Sequence, residues 1–319
     1  MKDTFNREIR YLRLSITELC NLRCRYCMPA DGVEKKEHSE MLTEDEMVMA
    51  VEACASLGVN KLRITGGEPL VKKNVISICE RTAAVPGIKE VCITTNGVLL
   101  PKFAGDLKAA GVKRLNISLD TLDPAKYEYI TRIGKLDDAL KGIETAFDAG
   151  FEKIKINSVL IGGFNDDEIE NFVRLTEKWP VEVRFIELMP MYDSGDFKEA
   201  SFIKNEEVLK RVPGLVSLGD DGSGGVARLY RLPGAQGTVG LISPVSAHFC
   251  RTCNRIRLTA DGKFKPCLHS SLEYDIRGMT KEEMTEQIKK VIMSKPEKHE
   301  ELSYTKRSEA NRNVNRIGG

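Results

Sequence analysis

Nowhere in the 319 residues does an apolar run approach the ~18 residues that a membrane-spanning helix needs. The opening MKDTFNREIRYLRLS likewise holds no apolar stretch of the kind a secretory leader carries. Secretion and membrane spanning are therefore not expected, and the chain reads as cytoplasmic. Net charge is nearly missing as well: 48 basic residues against 47 acidic leave +1. No overall field argues for a nucleic-acid or membrane partner, so any polyanion has to be held by basic residues gathered locally. Low-complexity tracts are absent, and so is any internal repeat beyond a β-α alternation. The length suits two domains, or one large barrel with an appendage.

Disulfides are not expected in a reducing compartment, yet there are nine cysteines. Cys54, Cys79 and Cys92 stand singly in apolar stretches and read as small core hydrophobes. The other six fall into two groups, at 20–27 and 250–267, that need a chemical account.

Short apolar runs at 11–17, 62–65, 90–95, 114–119, 153–160 and 181–188 alternate with helical stretches. Thr43 with Glu46 predicts a capping box, and Asp123-Pro124 puts proline at a first helical position. Six β-α repeats predict an α/β fold, a partial (β/α)6 parallel barrel, over residues 1–198. Residues 199–319 read as a small C-terminal α+β region. There the pattern gives a polar stretch at 191–199, a helix near 205–211, a loop at Gly222, Gly224 and Gly225, and strands at 227–232 and 238–242. A hairpin turning at Asp261-Gly262, a helix over 280–293 and a polar tail ending in Gly318-Gly319 follow.

Parallel strands are usually apolar on both faces. Here one face is polar in five of the six. Arg13, Ser15 and Thr17 share a face, as do Arg63 and Thr65, Thr94 and Asn96, Asn116, Ser118 and Asp120, and Lys155 and Asn157. With the apolar face against the helices, the polar face lines the lumen. Unpaired buried cations cost several kcal/mol each, so an anionic ligand is expected there.

Cys20, Cys24 and Cys27 (C-x3-C-x2-C) follow the first strand. Zinc is one reading, with His38 the nearby candidate for a fourth ligand. A [4Fe–4S] cluster is the other, three thiolates leaving one iron open. With Tyr26 before the third cysteine, the spacing resembles the signature of the radical S-adenosylmethionine (SAM) superfamily. That resemblance implies a radical SAM barrel whose open iron chelates SAM, and a reduced cluster that cleaves it to methionine and a 5′-deoxyadenosyl radical. Gly66-Gly67-Glu68-Pro69 resembles the superfamily's motif for the SAM amino group. By the same resemblance Tyr26, Gly67, Ser118 and Met189 are SAM contacts.

Cys250, Cys253 and Cys267 (C-x2-C-x13-C) leave two readings open: a second cluster, or zinc completed by His248 or His269. Arg255 and Arg257, on alternate positions of a strand, would share a face beside the metal. The run Cys250-Arg-Thr-Cys253-Asn-Arg255-Ile-Arg257, with RITGGEPL at 63–70, TTNG at 94–97, NISLD at 116–120, RFIE at 184–187 and the terminal Gly-Gly, resembles the GTP 3′,8-cyclase family of molybdenum-cofactor biosynthesis from about residue 5 onward. The resemblance implies two [4Fe–4S] clusters facing each other across the barrel, the second binding the guanine of GTP. It also implies removal of the ribose C3′ hydrogen and attack on C8, with no catalytic residue assigned beyond the clusters. Arg13, Arg63, Thr94, Lys155, Arg255 and Arg257 match the family's GTP contacts, and the Gly-Gly end enters the site. Arg184 is left between that set and a surface or interstrand role. A low-potential electron donor and a downstream cyclic pyranopterin monophosphate synthase are the implied partners; a homodimer is left open. Two rivals remain, a peptide-modifying radical SAM enzyme with an auxiliary cluster and a non-catalytic zinc scaffold.

Overall fold

The computed structural model describes residues 1–34, 36–191, 201–219, 226–300, 302 and 308–318. Most of the expected polar stretch after Pro190, the loop at Gly222, Gly224 and Gly225, and Gly319 lie outside the described residues.

Six strands, β1 (Tyr11–Ser15), β2 (Lys61–Thr65), β3 (Glu90–Thr95), β4 (Val112–Ser118), β5 (Ile154–Leu160) and β6 (Val181–Glu187), pair in parallel in chain order. Between them run α1 (Glu44–Ser56), α2 (Val75–Ala83), α3 (Leu100–Ala109), α4 (Pro124–Thr131), α5 (Leu136–Asp148) and α6 (Ile169–Lys178). The helix starts follow the local chemistry. Thr43 and Glu46 form a reciprocal capping box, and the Asp123 carboxylate accepts from Lys126 N ahead of Pro124. The outward-facing strand residues Leu12, Leu14, Leu62, Ile64, Ile93, Leu115, Ile117 and Ile156 are fully buried against the helix layer. Cys54 and Cys79 belong to this core, as expected.

The C-terminal region adds α7 (Glu206–Arg211), β7 (Val216–Ser217), β8 (Arg228–Arg231), β9 (Thr238–Ile242), β10 (Arg255–Leu258), β11 (Lys263–Lys265), β12 (Tyr274–Asp275), α8 (Lys281–Met293) and α9 (Val314–Ile317). It is not a separate layer. β10 pairs in parallel with β1 and β9 pairs in parallel with β6, so both edges of the six-strand array are completed from the last third of the chain. β11–β12 and β8–β7 extend the two sides antiparallel. α8, started by the Thr280–Glu283 capping box, packs against α1. The result is a partial barrel in which β9 and β10 do not pair with each other and the free sheet edges are β7 and β12. Among the described residues no helix is long and apolar enough to cross a membrane.

Candidate active site

In-register pairing lays the inward-facing side chains in rows. One row crosses β10, β1, β2, β3 and β4 as Arg257, Arg13, Arg63, Cys92 and Arg114. Toward the C-terminal ends of the strands comes Thr94, Asn116, Lys155 and Glu182, then Ser118, Asn157 and Arg184. Except for Cys92, whose Sγ donates to Leu62 O at 3.4 Å, and Asn116, which donates to Ile93 O at 3.1 Å, these side chains line a cavity of about 840 Å³, within the size range of small-molecule sites.

The lumen is short of negative charge. Glu90 is shared by Arg114 at 2.7 Å and Lys61 at 3.2 Å, and Glu182 by Lys155 at 2.6 Å and by Arg184. Burial, then the neighbouring Arg257 and Arg63, hold Arg13 well below its ordinary pKa. Burial and then Arg255 bring Arg257 down to about 10, and burial and then Arg184 bring Lys155 to about 8. Arg63 Nε, Thr94 Oγ1 and Asn157 Oδ1 are buried in the wall without a hydrogen-bond partner. A ligand with several anionic oxygens would reverse the first cost and satisfy Arg63 Nε and Thr94 Oγ1, while Asn157 Oδ1 calls for a donor on the same ligand.

At the C-terminal mouth, Cys20, Cys24 and Cys27 enter the cavity from the loop after β1. The glycine pair sets that loop. Gly67 N donates to Thr17 O and Glu68 N to Leu19 O, both at 2.8 Å. A Cβ on Gly67 would lie 2.5 Å from Leu19 O, and one on Gly66 2.7 Å from Thr17 O, so a side chain there would push the cysteine loop away. Tyr26 donates to the buried Asp120 at 2.7 Å, and Asp120 accepts from Val159 N at 2.8 Å. Leu22 N donates to Cys20 Sγ at 3.3 Å, a contact of the kind that tunes cluster potentials. Burial pushes Cys20 up to about 11 and Cys27 up to about 12, so these thiols become thiolates only against a cationic partner. Gly67, Ser118 and Met189 line the same mouth.

Cys250, Cys253 and Cys267 line the same cavity. Burial raises the Cys253 pKa, but Arg255 and Lys295 outweigh it and bring the thiol to about 6. The Arg255 guanidinium sits over the Phe249 ring at 5.0 Å, and Lys295 Nζ donates to Arg255 O at 2.9 Å and Pro266 O at 2.8 Å. The tail closes the side. Ile317 is fully buried with Ala310 and Met191, Asn315 Nδ2 donates to Glu18 O, and Arg257 Nη1 donates to Gly318 O at 2.7 Å.

A tetrahedral zinc ion with Zn–S near 2.3 Å needs sulfurs about 3.8 Å apart. Among the described residues, the trio whose ligand atoms all lie within 4.8 Å is His248, Cys250 and His299; neither cysteine trio is that compact. Three thiolates are the set that a four-iron cluster takes when one iron is left open. His38 opens an exposed turn and does not line the cavity, and His269 lies 3.0 Å from Ser308 Oγ.

All six expected nucleotide contacts, the four expected SAM contacts and both cysteine trios therefore line one cavity. Lys61, Glu90, Arg114, Glu182 and Arg184 line it too, so the sixth strand is as polar inward as the other five. Cys92, expected in the apolar core, is buried but lies outside that cluster, with Arg114 Nη2 at 3.4 Å. Strand parity was the available signal, since Lys61 alternates in phase with Arg63, and Cys92 with Thr94.

Residues 14–176 match the model of the radical SAM superfamily, and residues 181–301 that of Molybdenum Cofactor Synthesis C. A GTP 3′,8-cyclase of Alkaliphilus oremlandii is 50% identical over 322 residues, covering 100% of both chains. That of Alkaliphilus metalliredigens is 50% identical over 324 residues, again end to end. Among solved structures, SuiB of Streptococcus suis superposes with a TM-score of 0.59 at 15% identity, over 84% of this chain and 63% of that one, a likeness of fold alone.

Proposed function

The chain belongs to the radical SAM superfamily and, within it, to the family of the GTP 3′,8-cyclases, and from that premise we propose that it is a lyase performing the first step of molybdenum-cofactor biosynthesis on GTP. When bound, SAM and the first [4Fe–4S] cluster would supply a 5′-deoxyadenosyl radical that takes the ribose C3′ hydrogen, with a second cluster on the guanine; C3′ bonds to guanine C8, and one electron from the low-potential donor with one proton completes 3′,8-cyclo-7,8-dihydro-GTP.

The chain's own part is to hold, orient and exclude water. Cys20, Cys24 and Cys27 would ligate the first cluster, and Cys250, Cys253 and Cys267 the second. Tyr26, Gly67, Ser118 and Met189 would surround SAM, Gly67 by leaving room and Tyr26 from its anchor on Asp120. Arg13, Arg63 and Arg257, with Thr94 and Lys155, would take the triphosphate, whose oxygens suit guanidinium forks and an ammonium point charge. Arg255, beside Cys253, would face the base. One observation carries this reading: the buried arginine row lies in a cavity walled by both cysteine trios.

The same proposal sets a boundary after residue 198, with the radical SAM barrel and its triphosphate contacts before it, and the second cluster, Arg255, Arg257 and the Gly-Gly tail after it. It includes a cytoplasmic setting, a low-potential electron donor and delivery of product to a cyclic pyranopterin monophosphate synthase. The peptide-modifying rival has behind it only a fold likeness to SuiB, a protein also solved bound to a precursor peptide.

Anaerobic incubation of the iron-reconstituted chain with SAM, dithionite and GTP, followed by chromatography, tests the reading. GTP-dependent 5′-deoxyadenosine together with a cyclised nucleotide is expected. Equal deoxyadenosine with GTP and with ATP, and no cyclised product, would defeat it.

A further inference from the structure

We propose that His248, His299 and Cys250 form a site for a zinc-class divalent ion, filled when the second cluster is not in place. Their ligand atoms lie within 4.8 Å of one another, so small side-chain shifts bring all three onto one ion. The histidines are prepared for it. His299 Nδ1 lies 2.7 Å from Glu300 O, which can only accept, so His299 carries its proton on Nδ1 and turns the Nε2 lone pair toward His248 Nδ1 at 3.1 Å. A ring N–H fixed on a carbonyl, leaving the other nitrogen to ligate, is how metal-binding histidines are usually oriented, and an ion would replace the contact of His299 Nε2 with His248 Nδ1.

The backbone beneath is riveted. Arg7 donates from Nη1 to Cys250 O at 2.8 Å and Glu297 O at 2.9 Å, and from Nη2 to Pro296 O at 2.7 Å, while its Nε pairs with Asp3 at 2.6 Å. One buried guanidinium thus ties the Cys250 turn to the segment carrying His299. The cluster ligand set uses neither His248 nor His299, so their convergence on Cys250 calls for its own occupant.

Zinc would bind Cys250 as thiolate, its proton leaving to solvent, with two imidazoles and water completing four-coordination. Cys250 cannot serve zinc and the second cluster together, so the two exclude each other. That exclusion rests on the second-cluster reading; the zinc site itself does not.

The test is a zinc titration of the iron-free full-length chain against a chromophoric chelator, with zinc-edge X-ray absorption. We expect His248→Ala and His299→Ala each to weaken one site about 10–100-fold, with unchanged melting temperatures. Cys253→Ala and Cys267→Ala should leave that site unaltered, and absorption should show two nitrogens and one sulfur. Zinc that depends on Cys253 and Cys267 but not on the histidines, or a three-sulfur environment, would overturn the site. In iron–sulfide reconstitution, zinc-loaded wild type should take up about half the iron of zinc-free chain. Full uptake with zinc still on the histidines would overturn the exclusion and strike the second-cluster assignment of Cys250, leaving the zinc site standing.

Discussion

Replacing Gly318 by alanine is expected to lift the end of the tail out of the lumen while leaving the rest of the fold alone. Gly318 has φ +71, and a left-handed backbone costs a residue with a Cβ about 1–2 kcal/mol. The new Cβ would lie 2.4 Å from Thr65 Oγ1 and 3.2 Å from Ser15 Cβ, an overpacking of about 1–3 kcal/mol. The sum, about 2–5 kcal/mol, meets or exceeds the ~1.5–3 kcal/mol that one hydrogen bond from the Arg257 guanidinium contributes. Ile317, fully buried one residue earlier, keeps α9 in place, so the melting temperature should hold. If the tail steers the substrate radical, deoxyadenosine formation should continue while the ratio of cyclised product to deoxyadenosine falls about tenfold or more, each ~1.4 kcal/mol being a factor of ten. Adding Thr65→Ala removes the closest contact and should restore part of the ratio. Wild-type coupling in Gly318→Ala, measured by anaerobic single turnover and chromatography, would refute the reasoning.

Cys24→Ala should abolish SAM cleavage and lower iron from roughly eight to four per chain; persisting deoxyadenosine would remove that trio from the radical step. Cys253→Ala should spare the first cluster and weaken GTP binding, which calorimetry on the anaerobic protein reads directly; cyclised product at the wild-type rate would make the second trio structural only. Arg63→Ala should keep both clusters and lose about 2–5 kcal/mol of GTP affinity while guanosine binding hardly changes; equal losses for the two ligands would take Arg63 out of the triphosphate site.

Local pattern carried the barrel and most of its lining, because a period of two in a strand decides which side chains share a face. Reading that parity one step further toward the strand starts would have added Lys61 and Arg114; Cys92, in phase with them, is fully buried, as a lone cysteine in an apolar run suggests. The pairing of β10 with β1 and of β9 with β6 was not legible, since their register joins segments more than fifty residues apart and in one case about 240. His299 was invisible for the same reason. Nothing near it in sequence hints that α8 returns the chain to the Cys250 turn.

The sheet closes its edges last. As the chain leaves the ribosome, β1 waits for β10 and β6 for β9, and until then the growing array presents bare backbone on both flanks, a state prone to edge pairing and slow to resolve. During that interval the loop holding Cys20, Cys24 and Cys27 has emerged, whereas the tail that covers the mouth has yet to be made. Synthesis order therefore exposes the loop of Cys20, Cys24 and Cys27 before residues 310–317 exist to pack beside it.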